Sequence, residues 1–306
     1  MNLNFLMADE DQVKPGVLLV DLSQIVHATV TATFKEGDKI DVKMMRHLIL
    51  STLKHNVLKF RKDGYEEVVI CVDNAMPSYW RREVAYFYKK NRAKAREESS
   101  WDWDGYFEGL RTVIEEFKKN MPYVIMDISK AEADDSIAVL TKKLTLEGHK
   151  VMIISSDGDF TQLHKFPNVS QYSPMMKKLV KAKSGSPALD LMTKLIKGDK
   201  KDNVASINVR SDFWYTRVEG ERTPSTKTKF IEECLDANDI SELLSEAQYQ
   251  RFKENQVMID FEFIRQDIKD AILDLYNNYK KPGKGKIYPY FVKSGLSKLI
   301  KDVGDF

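Results

Sequence analysis

Glu132-Ala133-Asp134-Asp135, an apolar run to Leu146, and then Val151-Met152-Ile153-Ile154-Ser155-Ser156-Asp157-Gly158-Asp159 form the stretch that decides the fold. Ile137, Leu140, Leu144 and Leu146 recur broadly at helical spacing, so 136–147 reads as a helix. Gly148 closes it, as glycine just past a helix end commonly does. Residues 150–154 are a short β-rich run of the kind buried inside a parallel sheet. A helix feeding such a strand returns the chain to the carboxyl edge of the sheet, where open α/β folds place their sites. Asp157 and Asp159 stand on that edge, and Asp134, in the first turn of its helix, joins them from the side. The expected fold is α/β, with a mostly parallel central sheet, flanking helices and a C-terminal helical domain.

Other strands send acids to the same place. Val17-Leu18-Leu19-Val20-Asp21 is an apolar run ending in a carboxylate, and Val68-Val69-Ile70-Cys71-Val72-Asp73 is another, after a helix that Gly64 terminates. One strand ending in Asp is usually a turn or a helix cap. Three such ends together with Glu132 and Asp134 are harder to assign to caps. In a parallel sheet, Asp21, Asp73, Asp134, Asp157 and Asp159 converge.

Clustered carboxylates raise one another's pKa and cannot all stay ionised without a counter-charge. A shared proton serves one pair only, and none of the four acidic motifs themselves contains Lys or Arg. Hard oxygen donors without His or Cys select Mg²⁺, with Mn²⁺ able to substitute. Two such ions can hold a phosphodiester for in-line attack by water. The residues therefore read as a two-metal phosphodiesterase site. An aspartate-nucleophile phosphatase also uses strand-end acids, but Asp21 is followed by Leu22-Ser23 and no Asp-x-Asp is present there.

The chain has 306 residues, 42% of them hydrophobic, enough for a large core and two domains. The net charge of +2 conceals an uneven distribution, with acids at strand ends and bases in runs. Cys71 and Cys234 fall inside a strand and a helix and read as buried free thiols of a reducing compartment. His27, His47, His55, His149 and His164 show no zinc-site pairing. No apolar run is long enough to span a bilayer, and a soluble, intracellular protein is expected.

Residues 1–14 read as a tail in which Leu3, Phe5, Leu6 and Met7 precede Asp9, Glu10 and Asp11; such a peptide either packs on the body or docks in a partner's groove. Helices are expected at 23–33, 43–62 and 101–120, and a strand at 123–126. Between the second strand and 101 lies Tyr79-Trp80-Arg81-Arg82-Glu83-Val84-Ala85-Tyr86-Phe87-Tyr88-Lys89-Lys90-Asn91-Arg92-Ala93-Lys94-Ala95-Arg96, with seven bases and one acid. Aromatics among bases suit base stacking and phosphate contact, so Arg81, Arg82, Tyr88, Lys89, Lys90, Arg92, Lys94 and Arg96 are candidate nucleic-acid contacts. Residues 90–100 lack an apolar face and are expected to be mobile until substrate engages.

These motifs, with Gly198-Asp199-Lys200-Lys201-Asp202-Asn203 following in order, resemble the flap endonuclease and 5′ nuclease family along nearly the whole chain. The resemblance implies a PIN-like nuclease domain at 15–186 with a basic arch near 81–100, and a helical duplex-binding domain at 187–306. It implies that Asp21, Asp73, Glu132, Asp134 and Asp157 serve a first Mg²⁺, that Asp159 and Asp202 serve a second with Asp199 nearby, and that Arg81 and Lys89 meet the scissile phosphate. Lys227 joins the duplex contacts. The chain departs from the family's Gly-x-Gly duplex-gripping turn, carrying one glycine in 218–228 and an insertion around 210–217. The monovalent-ion site associated with that turn is part of the same departure.

The implied activity is 5′ to 3′ exonuclease and flap endonuclease action on RNA–DNA hybrids and duplex or flap DNA. The implied task is removal of RNA primers from lagging-strand fragments during phage replication in the host cytoplasm. The implied partners of a monomeric enzyme are a sliding clamp, through the N-terminal tail, and a single-stranded DNA-binding protein. A structure-specific DNA-binding protein with little catalysis is the alternative, and the presence of every family acid argues against it.

Overall fold

In the computed structural model the described residues are 14–306. The N-terminal tail and its expected partner contact lie almost wholly outside them. A six-stranded sheet has the order β3-β2-β1-β4-β5-β6. β1 (Gly16–Asp21) is buried at all six positions, which is why it reads as a continuous apolar run rather than an alternating one. The chain proceeds through α1 (Leu22–Thr33) and α2 (Val42–Arg61) to β2 (Tyr65–Val72). Then come α3 (Arg81–Val84), α4 (Lys90–Glu97), α5 (Trp103–Asn120), β3 (Val124–Asp127), α6 (Ala133–Leu146) and β4 (Val151–Ile154). A 3₁₀ segment at Gly158–Lys165 leads to β5 (Val169–Ser173) and the two-residue β6 (Lys178–Leu179).

All pairings are parallel except β5 with β6. β1 pairs with β2 on one side and with β4 on the other. The strand order therefore reverses at β1, and in open α/β sheets the crevice at that reversal is where ligands bind. Asp21 ends β1, Asp73 follows β2 and Asp157 follows β4, so sequence and topology bring the acids to this one edge.

The remaining chain is helical: α7 (Pro187–Lys197), α8 (Phe213–Thr216), α9 (Thr228–Asp236), α10 (Glu246–Ile259), α11 (Gln266–Asn278), α12 (Ile287–Lys293) and α13 (Ser297–Ile300). α7 starts with a Ser186 cap and Pro187 in its first turn, and ends at Gly198. Gly198 has φ +75°, and a Cβ there would lie 2.4 Å from the Val204 carbonyl oxygen. No other residue fits that close approach, which fixes the turn carrying Asp199 and Asp202.

Packing divides the helices in an unexpected way. One core joins Leu18, Val20, Leu53 and Phe117 to Ile287, Phe291 and Phe306. A second, on the other face, joins Leu19, Val69, Leu140 and Ile153 to Ile264, Ile268 and Ile272. Only a third, smaller core around Ile196, Val204, Ile231 and Phe252 belongs to the helical segment, and it takes in Ala85, Phe87 and Tyr88. The helices from α11 onward thus cover the sheet instead of extending a separate helical unit.

The predicted arch differs most from expectation. Residues Lys90–Glu97 form a helix although none of them is buried. It is tethered by polar groups: Arg92 Nη2 donates to Asp202 at 2.5 Å and Asn91 Nδ2 to the Lys201 carbonyl at 3.1 Å. The Arg96 guanidinium lies 5.5 Å from the Phe107 ring centre. An apolar-face test cannot see such tethers. Cys71 and Cys234 are both buried free thiols. Among the described residues no helix is long and apolar enough to cross a membrane.

Candidate metal centre and nucleic-acid cleft

Asp21, Asp73, Asp134, Asp157, Asp159, Asp199 and Asp202 line one cleft of about 1560 Å³ at the carboxyl edge of the sheet. Each is placed by local backbone chemistry. Asp21 caps α1, accepting from the Gln24 N–H at 3.1 Å, while the Ser155 hydroxyl donates to its other oxygen at 2.9 Å. Asp73 accepts from the Ala133 N–H at 2.8 Å, tying the end of β2 to the start of α6. Asp157 caps the 3₁₀ segment through the Asp159 N–H at 3.0 Å. Asp199 accepts from the Lys201 N–H at 2.9 Å.

Their electrostatics show a shortage of positive charge. Burial, with Asp73 adding to it, pushes the Asp21 carboxyl up to about 7. Burial drives Asp134 well above the ordinary carboxylate range; Lys89 opposes this, and Asp157 and Asp21 reinforce it. Burial and Asp157 hold Asp159 up at about 6 even though Lys194 is bonded to it. A positive counter-charge placed among them would favour their ionised forms.

Among the described residues, no three His, Cys, Asp or Glu side chains are already grouped as a cation cage. The donor set nonetheless fits divalent cations. It is all carboxylate, it surrounds a cleft rather than closing over it, and burial together with neighbouring carboxylates disfavours the charged form of Asp21, Asp134 and Asp159. Lys194 bridges Asp159 and Asp199, with 2.7 Å to the latter. Sequence reading missed this residue because α7 was read by its apolar positions. Its signal is a lysine on the polar side of the helix that ends at Gly198-Asp199.

Glu132, expected to serve the first cation directly or through water, is 3% exposed and does not line the cleft. Arg81 Nη1 donates to it at 2.9 Å and the Tyr88 hydroxyl at 3.0 Å, and it is also paired with the Lys89 ammonium. Burial works to raise its pKa, but Lys89 and Arg81 overcome that and hold it at about 2. As the residue preceding α6 it shares a reciprocal cap with Asp135, which turns both carboxylates under α3. Asp135 is fully buried and accepts from the Glu132 N–H at 3.0 Å and the Trp80 indole at 2.9 Å.

Arg81 and Tyr88, expected to touch nucleic acid, are likewise turned inward. Arg81 is 2% exposed and is consumed by Glu132, by Asp135 at 2.8 Å and by the Met258 carbonyl at 3.1 Å. Tyr88 is 3% exposed. The reason is pairing: two buried carboxylates at the head of α6 need the cations that the sequence presents nearby.

Arg82, Lys89, Arg92 and Arg96 do line the cleft, joined by Lys183, Lys200 and Lys201. The Lys89 ammonium lies 3.5 Å from Asp202, and its backbone is left-handed at φ 54°. Lys90 lies beside the cleft against two tyrosines. Lys94 is exposed and only loosely paired with Glu98 at 3.8 Å. Lys227 is exposed at the start of α9, outside the cleft lining.

An α/β sheet carries an acid-lined crevice beside a basic helix, and comparison with known proteins places the chain among nucleases. Residues 16–186 match the family described as 5′-3′ exonuclease, N-terminal resolvase-like domain, and residues 185–306 match the family described as T4 RNase H, C terminal. The chain belongs to the 5′–3′ exonuclease family. Ribonuclease H of Enterobacteria phage T4 is 59% identical to it over 302 residues, which is 98% of this chain and 99% of the relative. The thermostable DNA polymerase I of Thermus thermophilus is 29% identical over 154 residues, 49% of this chain and 17% of that protein. The D15 flap endonuclease of bacteriophage T5, solved with DNA and metal ions, superposes with a TM-score of 0.60 at 17% identity, covering 86% of this chain and 98% of that one. The T5 5′-exonuclease solved with zinc gives the same TM-score over 87% and 100%. At that identity the two phage T5 structures share the fold.

Proposed function

We propose that this chain is a Mg²⁺-dependent 5′ to 3′ exonuclease and flap endonuclease that removes RNA primers from lagging-strand fragments in phage DNA replication, in the cytoplasm of the bacterial host. The single observation that carries the reading is the convergence of seven aspartates on one cleft, among which burial and neighbouring carboxylates raise Asp21, Asp134 and Asp159. Asp21, Asp73, Asp134 and Asp157 would hold one ion, and Asp159, Asp199 and Asp202 the other, with Mn²⁺ able to replace Mg²⁺. Two divalent ions, when bound, supply the charge that activates water and offsets the phosphate at an in-line displacement.

The rest of the work falls to protein side chains. Ser155 and the Gln24 N–H fix the orientation of Asp21. Arg82, Lys89 and Arg92 border the acids and are placed to neutralise the phosphates on either side of the scissile one. Arg81 and Glu132 act as support, holding Lys89 at the cleft wall. The expected substrates are RNA–DNA hybrids and duplex or flap DNA, and the expected partners are a sliding clamp and a single-stranded DNA-binding protein.

A 5′-labelled RNA–DNA hybrid and a 5′-flap duplex, each incubated with Mg²⁺ or with EDTA, test the reading. Short 5′ products are expected from both substrates with Mg²⁺ alone. Equal product in EDTA, or none with any divalent ion, would overturn it.

A further inference from the structure

Residues around 210–217, packed beside the start of α4, build a surface outside the lining of the acidic cleft. Tyr86, ahead of α4, and Tyr215, on α8, are each 51% exposed, and neither belongs to a hydrophobic core. Their ring centres are 5.9 Å apart, and the Lys90 ammonium lies 5.3 and 5.4 Å from them. The Tyr86 hydroxyl donates to Asp212 at 2.9 Å, fixing α8 against the base of α4. Beside Tyr215, the Trp214 ring has Lys200 at 5.3 Å and Arg217 at 5.2 Å.

This patch continues into the cleft. Lys200 is a lining residue of the cleft and also sits against Trp214. Asn91 ties α4 to the 200–201 turn through the Lys201 carbonyl at 3.1 Å. Lys200 against Trp214, and Asn91 tied to the 200–201 turn, thus connect the cleft to α8 and to the base of α4, where Tyr215 and Tyr86 stand exposed.

We propose that this patch is a stacking platform for the unpaired 5′ arm of a nucleic-acid substrate. Aromatic rings accept any base face, and lysine or arginine beside them meets the phosphates that follow. A double helix would offer these rings only its backbone, because its bases are stacked on one another. The half-exposed tyrosines thus favour a single strand. The inference rests on the nuclease reading above, since the arm belongs to a substrate held at the cleft.

The test measures binding of full-length protein with Ca²⁺ in place of Mg²⁺, at one fixed salt concentration. One substrate is a nicked duplex with a single-stranded 5′ arm carrying 2-aminopurine, and the other is the same nicked duplex without an arm. Tyr215→Ala and Tyr86→Ala should each weaken binding of the armed substrate by about 5- to 150-fold, the range that loss of one stacked base gives. The armless duplex should change less than about twofold by the same account, since no base is stacked. Quenching of 2-aminopurine by the wild type should be lost in both variants and kept in Tyr215→Phe. Equal losses on the two substrates, no loss on either, or unchanged quenching would overturn the platform. Wild-type binding of the armless duplex confines such a failure to the platform; wild-type failure to bind either substrate overturns the nuclease reading with it.

Discussion

The Lys194 ammonium donates to Asp199 at 2.7 Å while also holding Asp159, so one lysine of α7 occupies two of the three carboxylates proposed for the second ion.

A cation entering there has to displace that ammonium. Lys194→Met, which keeps the apolar stem, should therefore tighten binding of a second divalent ion by about tenfold, given the strength of charge pairs at this range. Binding of the first ion should change little. Mn²⁺ titration followed by electron paramagnetic resonance separates the two steps. A second-ion affinity that is unchanged or weaker in the variant would refute the competition.

Asp134→Asn removes the carboxylate that is raised by burial and by Asp157 and Asp21 together. Single-turnover cleavage should fall by more than the roughly 10–100-fold that loss of a mere supporting residue costs. Duplex affinity should hold or rise, because a negative charge facing phosphate is gone. Cleavage near the wild-type rate would show that Asp134 is no ligand.

Arg81 distinguishes structural pairing from phosphate contact. Arg81→Leu leaves Glu132 and Asp135 buried without their guanidinium. Breaking such a pair costs about 3–5 kcal/mol, so the urea midpoint of the metal-free protein should drop sharply. A phosphate-contact role would instead leave the midpoint alone and reduce the salt dependence of binding.

The pH dependence of the metal-free protein has a definite sign. The Asp21 carboxyl is raised to about 7 from an ordinary 3.8, so between those values the folded chain binds a proton that the unfolded chain has released. Stability contributed by that proton is present at low pH and is lost as pH rises through 7. His27 and His164, lowered by burial, act in the opposite direction below their ordinary 6.5. Thermal midpoints of wild type minus Asp21→Asn isolate the carboxyl: the difference should become more unfavourable to the wild type from pH 4 to pH 7. Saturating Mg²⁺ should reverse that trend, since the ion selects the ionised form. A flat difference without metal would contradict the assignment.

The parts of this protein legible in its sequence are those governed by local repetition. β1, β4 and the Val68–Val72 part of β2 are continuous apolar runs because both of their faces are covered, and their terminal aspartates follow from the same residues that mark the strand ends. What escaped depends on partners distant in sequence. Glu132 and Arg81 are 51 residues apart, and nothing local announces that they neutralise each other. Lys194 meets Asp159 across 35 residues. β5, with Ser170 and Gln171 in its run, has too little apolar character to declare itself as a strand. α4 shows the same limit from the other side: it has no apolar face, and its order comes from Asp202 and from the carbonyls of a distant turn.

Leu18 of the central strand and Phe291 of α12 belong to one core. During synthesis the first leaves the ribosome long before the second, by tens of seconds at ordinary elongation rates. For that interval the apolar wall beneath α1 and α2 lacks its cover and is available to other chains. Yield in a heterologous host should accordingly depend on translation speed and on holdase chaperones.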